Sequence, residues 1–212
     1  SEPPPAATGQ RVTWRSMMAA PTYVSEYPAG FNSDTTPKTA MSAVAVNAND
    51  VLIGLAVGEN DTITCDITEN GAASWSSLQA SHIFQYTDTR AWSYIVPGNE
   101  TLTATVTRTS TTNYFGGSVI RFSGSGGVGA SNQANSSVGS PSVSLTTTQA
   151  NSAIVVICGD WNAVTGAQTF TLDGSSSGWV ALTGHSGDSL HYGVAIAYHP
   201  DAGAQGAKTI AM

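Results

Sequence analysis

The segment Thr101-Leu102-Thr103-Ala104-Thr105-Val106-Thr107 alternates strictly between hydroxyl-bearing and apolar residues. Neighbouring side chains of an extended strand point to opposite faces, so the apolar residues share one face and the threonines share the other. This pattern is typical of an antiparallel sheet that has one face in a core and the other toward solvent. The segment therefore predicts a β-fold.

Similar short alternations and apolar runs, bounded by Gly, Asn, Asp, Ser or Pro, recur from about residue 40 onward. No stretch of ten or more residues has a helical period. Many short strands without crossover helices predict an all-β chain, an antiparallel β-sandwich of jelly-roll-like type. Besides 101–107, the predicted strands are residues 41–46, 51–57, 62–67, 80–86, 91–96, 117–123, 141–146, 153–158, 168–172, 179–183 and 190–198.

The composition agrees with a β-protein. The 212 residues include 26 Ser, 26 Thr and 22 Gly, which suit polar strand faces and tight turns, and 41% are hydrophobic, which is enough for a core. Disorder is the competing interpretation of so much Ser and Gly. The five Trp, seven Tyr and five Phe argue against it, because they are spread through the chain and lie within regular alternations.

The charge excludes two classes of partner. Seven basic residues against 14 acidic ones give a net charge of -7, which is too little positive charge to neutralise a row of phosphates. We therefore expect neither nucleic acid nor an anionic membrane surface as a partner. The longest apolar run, residues 51–57, is far shorter than the roughly 20 residues of a membrane-spanning helix.

An internal repeat divides the chain into two halves. The run at 51–57, which follows Ala48-Asn49-Asp50, matches the run at 153–158, which follows Ala150-Asn151-Ser152, and two later markers match at nearly the same spacing of 102 to 104 residues. We predict one β-sandwich over residues 40–212 with pseudo-repeated halves at 40–122 and 141–212. The Gly/Ser-rich linker 123–140 would join them. Two separate domains are the alternative.

The repeat also indicates a gap. In the first half the strand at 117–122 follows Pro97, whereas only 12 residues follow Pro200 in the second half. The counterpart of that strand is therefore expected to be missing, which would leave an unpaired sheet edge. We expect either that the natural polypeptide continues past Met212 with a closing strand or that another segment fills the gap.

Residues 1–39 carry a different signal. A proline run holds the start of the chain extended, and the following segment is punctuated by Pro and Gly and carries aromatic residues. We predict an N-terminal arm followed by an irregular segment that packs on a surface of this chain or of a neighbour. The candidate assembly residues are Pro3, Pro4, Pro5, Tyr23, Tyr27 and Phe31.

The chain contains no recognisable catalytic motif. It has no nucleophile elbow, no zinc-protease helix, no P-loop and no paired carboxylates in glycosidase spacing. The scattered histidines and the acids at predicted turns favour surface and turn roles over metal ligation. We expect no enzyme, no cofactor and no metal. Cys65 and Cys158 are expected to be buried thiols, and a bridge between them stays open.

Three aromatic residues are candidates for surface or glycan contact. Trp161 lies in a predicted loop and has no counterpart in the first half, and Tyr114 and Phe115 are similar. By contrast, Trp75 and Trp179 recur in both halves, which indicates a shared core position.

Four segments carry a family resemblance: residues 122–130, 140–153, 159–164 and 198–204. Together they resemble a β-sandwich module of minor tail proteins from phages that infect actinobacteria, and related modules occur in bacterial surface proteins. The resemblance covers roughly residues 40–212. It implies a virion component without enzymatic activity, and a closing strand after the last matching segment. It transfers no functional residues.

The expected function is therefore that of a phage virion structural protein. A minor tail protein on the particle surface, with a role in tail assembly or host adsorption, is favoured. Its partners would be other tail or capsid subunits in an oligomeric assembly, together with a host cell-surface glycan. The alternatives are a capsid decoration or head-fibre protein and a carbohydrate-binding module of a bacterial surface protein.

Overall fold

The fold is known from a computed structural model, in which the described residues form fifteen β-strands and no helix. The predicted all-β, antiparallel fold is confirmed, while jelly-roll connectivity stays a prediction. The residues that the structure describes are 20–31, 37–59, 65–69, 75–79, 83–84, 87–108, 114–136, 140–160, 168–184 and 193–212.

Nine strands precede the linker and six follow it. The first nine are β1 (Thr22–Pro28), β2 (Lys38–Val46), β3 (Val51–Glu59), β4 (Cys65–Glu69), β5 (Ser76–Ser77), β6 (Ile83–Phe84), β7 (Thr87–Ile95), β8 (Glu100–Arg108) and β9 (Phe115–Ser123). The other six are β10 (Ser142–Thr147), β11 (Ile154–Asp160), β12 (Thr171–Leu172), β13 (Val180–Ala181), β14 (Gly193–His199) and β15 (Gly206–Ala211).

These strands pair into four antiparallel sheets, two from each half of the chain. In the first half, the central sheet has the order β1-β9-β3-β7-β5 with β6 also on β7, and the first outer sheet has the order β2-β8-β4. In the second half, the inner sheet has the order β11-β14-β13, and the second outer sheet has the order β10-β15-β12. Among the described residues, β3-β7-β5 therefore corresponds in order to β11-β14-β13 and β2-β8-β4 to β10-β15-β12, whereas β1, β6 and β9 have no counterpart.

The sheets stack as four layers with three apolar interfaces. Leu102 of the first outer sheet packs with Leu52 on one face of the central sheet. The opposite face of the central sheet, including Leu55, packs against Ile196 of the inner sheet. The far face of the inner sheet, including Ile154, packs against the second outer sheet. Each half builds its own pair of sheets, and the two pairs pack face to face.

The central sheet is buried on both faces, and its sequences reflect that position. β3 reads as a continuous apolar run from Val51 to Val57, and every residue of β9 from Phe115 to Phe122 is buried. A strand covered on both faces needs apolar side chains at odd and even positions alike. The strict alternation of β8, in contrast, belongs to an outer sheet that has one face in the core.

The inner sheet lies in close contact with the central sheet at Gly159 of β11. A Cβ atom at this position would lie 2.7 Å from a methyl carbon of Val57 and 2.8 Å from a methyl carbon of Thr87. Real Cβ atoms do not approach other atoms so closely, so only glycine allows the two layers to meet at this spacing.

The segment before residue 31 differs from its prediction. Residues 22–28 were expected to be irregular, but they form β1, which pairs with β9 at the edge of the central sheet. The ring of Tyr23 stacks on Tyr198 of the inner sheet with ring centroids 4.7 Å apart. Phe31 is buried in the same interface. The surface that these aromatic rings cover thus belongs to their own chain.

The 12 residues after Pro200 contain a strand, β15, that is not among the predicted strands. β15 pairs with β10 and β12, just as β8 pairs with β2 and β4 in the first half. It therefore corresponds to β8 and not to β9. Among the described residues, no strand takes the place beside β11 that β9 takes beside β3.

A buried ion pair ties β9 to the turn between β2 and β3. Arg121 donates from Nε to Asp50 Oδ2 over 2.7 Å and from a terminal nitrogen to the carbonyl oxygen of Ala45 over 2.9 Å. The same carboxylate oxygen of Asp50 accepts the N–H of Asn47 over 2.9 Å. In the matching turn of the second half, the residue at this position is Ser152.

Replacing Asp50 tests this ion pair. Asp50→Ala leaves the buried guanidinium of Arg121 without its counter-charge, so we expect the free energy of unfolding to fall by about 3 kcal/mol in urea denaturation. Ser152→Ala is the matched control. It removes one hydrogen bond from Ser152 to Gln149 at the surface and should cost about 1 kcal/mol or less. Equal losses for the two variants would contradict the account.

Replacing Gly159 tests the contact between the central and inner sheets. Gly159→Val places methyl groups against Val57 and Thr87, so we expect overpacking to lower the free energy of unfolding by about 2 kcal/mol. Gly98→Ala is the control, because a Cβ atom at Gly98 meets nothing within 4 Å. A Gly159→Val protein as stable as the control would show that the layers do not meet there.

Candidate functional site

The main candidate site is a cavity of about 1250 Å³ beside β11. Every residue from Ala153 to Asp160 lines it, so the cavity follows the whole length of this strand. Residues 125–136 of the linker, residues 140–143 with Leu145 around β10, and part of the central sheet form its other walls. We refer to it as the β11 cavity.

The walls of the β11 cavity come from both halves of the chain. Ile53 and Leu55 of β3 contribute from the central sheet, and Val143 and Leu145 of β10 contribute from the second outer sheet. These apolar side chains also belong to the clusters that hold the layers together. The cavity is therefore an extension of the apolar interfaces toward the edge of the inner sheet.

The linker forms a fixed wall of this cavity. Ser131 Oγ donates to the carbonyl oxygen of Leu78 over 2.8 Å and accepts from Gln79 Nε2 over 2.9 Å, which ties the linker to the first half. Asn132 Nδ2 donates to the carbonyl oxygen of Ser144 over 2.7 Å, which ties it to the second half. Residues 123–140 are predicted to be a flexible connection, but the described linker residues are anchored on both sides.

Glycines shape the start of this wall. Gly124 and Gly127 have φ angles of 69° and 123°, a region that residues with a Cβ atom rarely adopt. The hydroxyl of Ser125 accepts the N–H of Gly127 and donates to its carbonyl oxygen. The Gly-rich sequence therefore turns the chain out of β9 and along the cavity, and it forms no phosphate-binding loop before a helix.

The lining of the β11 cavity is almost uncharged. Arg90 and Asp160 are the only charged residues among those that line it, and the rest are apolar residues, glycines and neutral polar residues such as Ser, Thr, Asn and Gln. A phosphate or another strongly charged ligand would lack compensating charges there. The lining suits a neutral ligand that brings both hydrogen-bonding groups and apolar surface.

Cys158 is the one residue of β11 with reactive chemistry. Its thiol is free, so no bridge to Cys65 is formed. Burial raises the pKa of the Cys158 thiol to about 11, and the nearby carboxylate of Asp160 adds to this increase. A thiol with such a pKa stays protonated near neutral pH and is a poor nucleophile, so it belongs to the lining and not to a catalytic centre.

Two of the three aromatic contact candidates, Tyr114 and Phe115, lie among the described residues, and they differ in burial. Phe115 was expected at the surface, but its ring is fully buried, and the Lys38 ammonium and the Arg108 guanidinium each lie over it at 4.7 Å from the ring centroid. The prediction that Phe115 is a surface contact is therefore wrong. Tyr114 is half-buried beside the interface of the central and inner sheets. Trp161 lies outside the described residues.

Three of the six candidate assembly residues lie among the described residues, and all three pack within this chain. Tyr23 and Phe31 are held in the core, as described above, and Tyr27 of β1 packs against the cluster between the central and first outer sheets. Pro3, Pro4 and Pro5 lie outside the described residues. The predicted core position of the two recurring tryptophans is confirmed, because Trp75 and Trp179 each pack against the core of their own half.

The described part of the chain brings together no group of three or more His, Cys, Asp or Glu side chains that could hold a metal ion. It likewise contains no helix long and apolar enough to cross a membrane. Comparisons with protein-family models, with curated proteins and with solved structures found no match.

The reactivity of Cys158 tests the burial of β11. In a Cys65→Ser variant, which leaves Cys158 as the only thiol, we expect iodoacetamide at pH 8 to alkylate the folded protein about a hundredfold more slowly than the urea-unfolded protein. The reason is the smaller thiolate fraction that follows from the raised pKa. Equal alkylation rates, measured by mass spectrometry, would contradict the structure.

Proposed function

We propose that this chain is a structural protein of a phage virion, and specifically a minor tail protein displayed on the particle surface with a role in tail assembly or host adsorption. The sequence resemblance over roughly residues 40–212 supports this proposal. The stacked arrangement of two sheet pairs agrees with it, because such a stack presents two outer sheets and their loops.

The observation that carries the proposal is the chemistry of the two outer sheets. Thr39 and Ser42 of β2 are exposed on the first outer sheet, and Ser142, Ser144 and Thr146 of β10 are exposed on the second. Hydroxyl groups hydrogen-bond with water or with a neighbouring protein at a small cost of desolvation. Faces of low charge suit close packing against other subunits, since charged residues are depleted from the centres of interfaces.

A carbohydrate-binding module is the second candidate function. The nearly neutral lining of the β11 cavity, with its Ser, Thr, Asn and Gln side chains, favours it. Sugars offer the same mixture of hydroxyl groups and apolar ring faces that this lining would accept. Trp161, which directly follows Asp160 of the cavity lining, is the aromatic residue to vary in this case.

Immunogold electron microscopy tests the virion assignment. Antibodies raised against the recombinant chain should label the tails of phage particles whose genome encodes this sequence, and absorption with the recombinant chain should remove the label. Label on the head would favour the decoration protein instead. Absence of the chain from purified particles by mass spectrometry would overturn the virion assignment, and glycan-array binding lost in Trp161→Ala would then identify the carbohydrate-binding module.

A further inference from the structure

β11 occupies the same position in the second half as β3 in the first. Both strands follow a turn in which an asparagine has a positive φ angle, 67° at Asn49 and 59° at Asn151. The first inward residues, Leu52 and Ile154, both face the outer sheet of their own half. β3 pairs with β7 on one side, and β11 pairs correspondingly with β14.

The two strands differ on their other edge. β3 is paired there with β9 over residues 51–58. Among the residues that the structure describes, nothing pairs with the corresponding edge of β11. An antiparallel strand that is paired on one side leaves alternate N–H and C=O groups of its other side without a partner strand. From Ile154 to Gly159, β11 thus presents a template for one more strand.

The space beside this edge is large enough for a strand. The β11 cavity follows β11 from Ala153 to Asp160 and holds about 1250 Å³. Pockets for small ligands commonly hold roughly 300–1,000 Å³, so a single small molecule would leave part of this length empty. An extended peptide offers backbone groups along the whole edge and side chains to both neighbouring layers.

We propose that the open edge of β11 binds an extended segment of another polypeptide, which adds to the inner sheet as an antiparallel strand and fills the β11 cavity. This proposal stands independently of the proposed virion function. Addition of a strand to a sheet edge is a general mode of peptide recognition, in which main-chain hydrogen bonds provide affinity and alternate side chains provide specificity.

The first half indicates the chemistry of this segment. β9 reads Phe-Gly-Gly-Ser-Val-Ile-Arg-Phe-Ser and buries its residues on both faces, because it lies between two layers. The bound segment would likewise lie between the central and second outer sheets, so it should be neutral and apolar on both faces. Its length should match the seven residues of β11.

One position of the segment should differ from β9. Arg121 of β9 is neutralised by Asp50, and the matching residue in the second half is Ser152, which lines the β11 cavity. A guanidinium bound there would lose its hydration without gaining a counter-charge. The bound segment should therefore carry a neutral residue at the position that matches Arg121.

The position of the linker favours a single extended segment, and not the sheet edge of a second folded copy, as the occupant of the β11 cavity. Ser131 is tied to Leu78 and Asn132 is tied to Ser144, so the linker spans from one half to the other along the cavity. An extended chain fits between this wall and β11. The sheet edge of a folded copy could reach β11 only after these hydrogen bonds broke.

Peptide binding to the full chain tests the proposal. The probe is a fluorescent peptide with the β9 sequence that carries Arg121→Thr, and its matched control carries Ser118→Pro in addition, which removes a backbone donor on the edge that faces β3 in the parent strand. We expect saturable binding by fluorescence anisotropy, about tenfold weaker for the control. In the Cys65→Ser variant, the bound probe should also slow alkylation of Cys158 about tenfold, because it covers the cavity lining.

A charge exchange tests the position of Ser152. The peptide with the unchanged β9 sequence should bind the natural chain more weakly than the probe, and Ser152→Asp should increase its affinity about tenfold by supplying the missing carboxylate. No binding of the probe, as expected if a segment of the same chain or a second copy fills the edge, would overturn the proposal. Binding that leaves Cys158 alkylation unchanged, or that does not respond to Ser152→Asp, would overturn it equally.

Discussion

The structure depends on the burial of the central sheet on both of its faces. β3 and β9 pack against the first outer sheet on one side and against the inner sheet on the other, so neither face of this sheet reaches solvent along its core. This constraint explains the unbroken apolar run from Val51 to Val57 and the small residues Gly116 and Gly117 in β9. It also explains why Arg121, an interruption of this apolar character, needs Asp50 as a buried partner.

The burial of the central sheet on both faces also explains which parts of the fold could be predicted from the sequence and which could not. The alternation of β8 predicts an outer strand correctly, because one face of that strand is in the core and the threonines lie on the other. The run at 51–57 predicts a strand, and its lack of alternation is the available sign of a layer covered twice. A run of seven residues does not say which sheets will cover it.

β1 and β15 could not be predicted from the sequence pattern. β1 carries Ser25 and Glu26 among its tyrosines, and it becomes a strand because β9 offers it an edge and because Tyr23 stacks on Tyr198. β15 alternates weakly, and tertiary pairing with β10 decides its conformation. The burial of Phe115 was missed for a related reason, since the sequence beside a loop does not show whether an aromatic ring lies in solvent or packs in the core against Lys38 and Arg108. The β11 cavity is lined by segments that are far apart in sequence, so the sequence pattern could not predict it. The available sequence sign was the missing counterpart of β9 in the second half.

That difference is the centre of the account: β3 is paired on both edges, whereas β11 is paired on one. Residue-resolved hydrogen exchange of the isolated chain measures it most directly, because amides in paired strands exchange slowly and amides at an open edge exchange quickly. We expect slow exchange for successive amides of β3, and fast exchange for those alternate amides of β11 between Ile154 and Gly159 that do not donate to β14. Slow exchange at all of these β11 amides would contradict it.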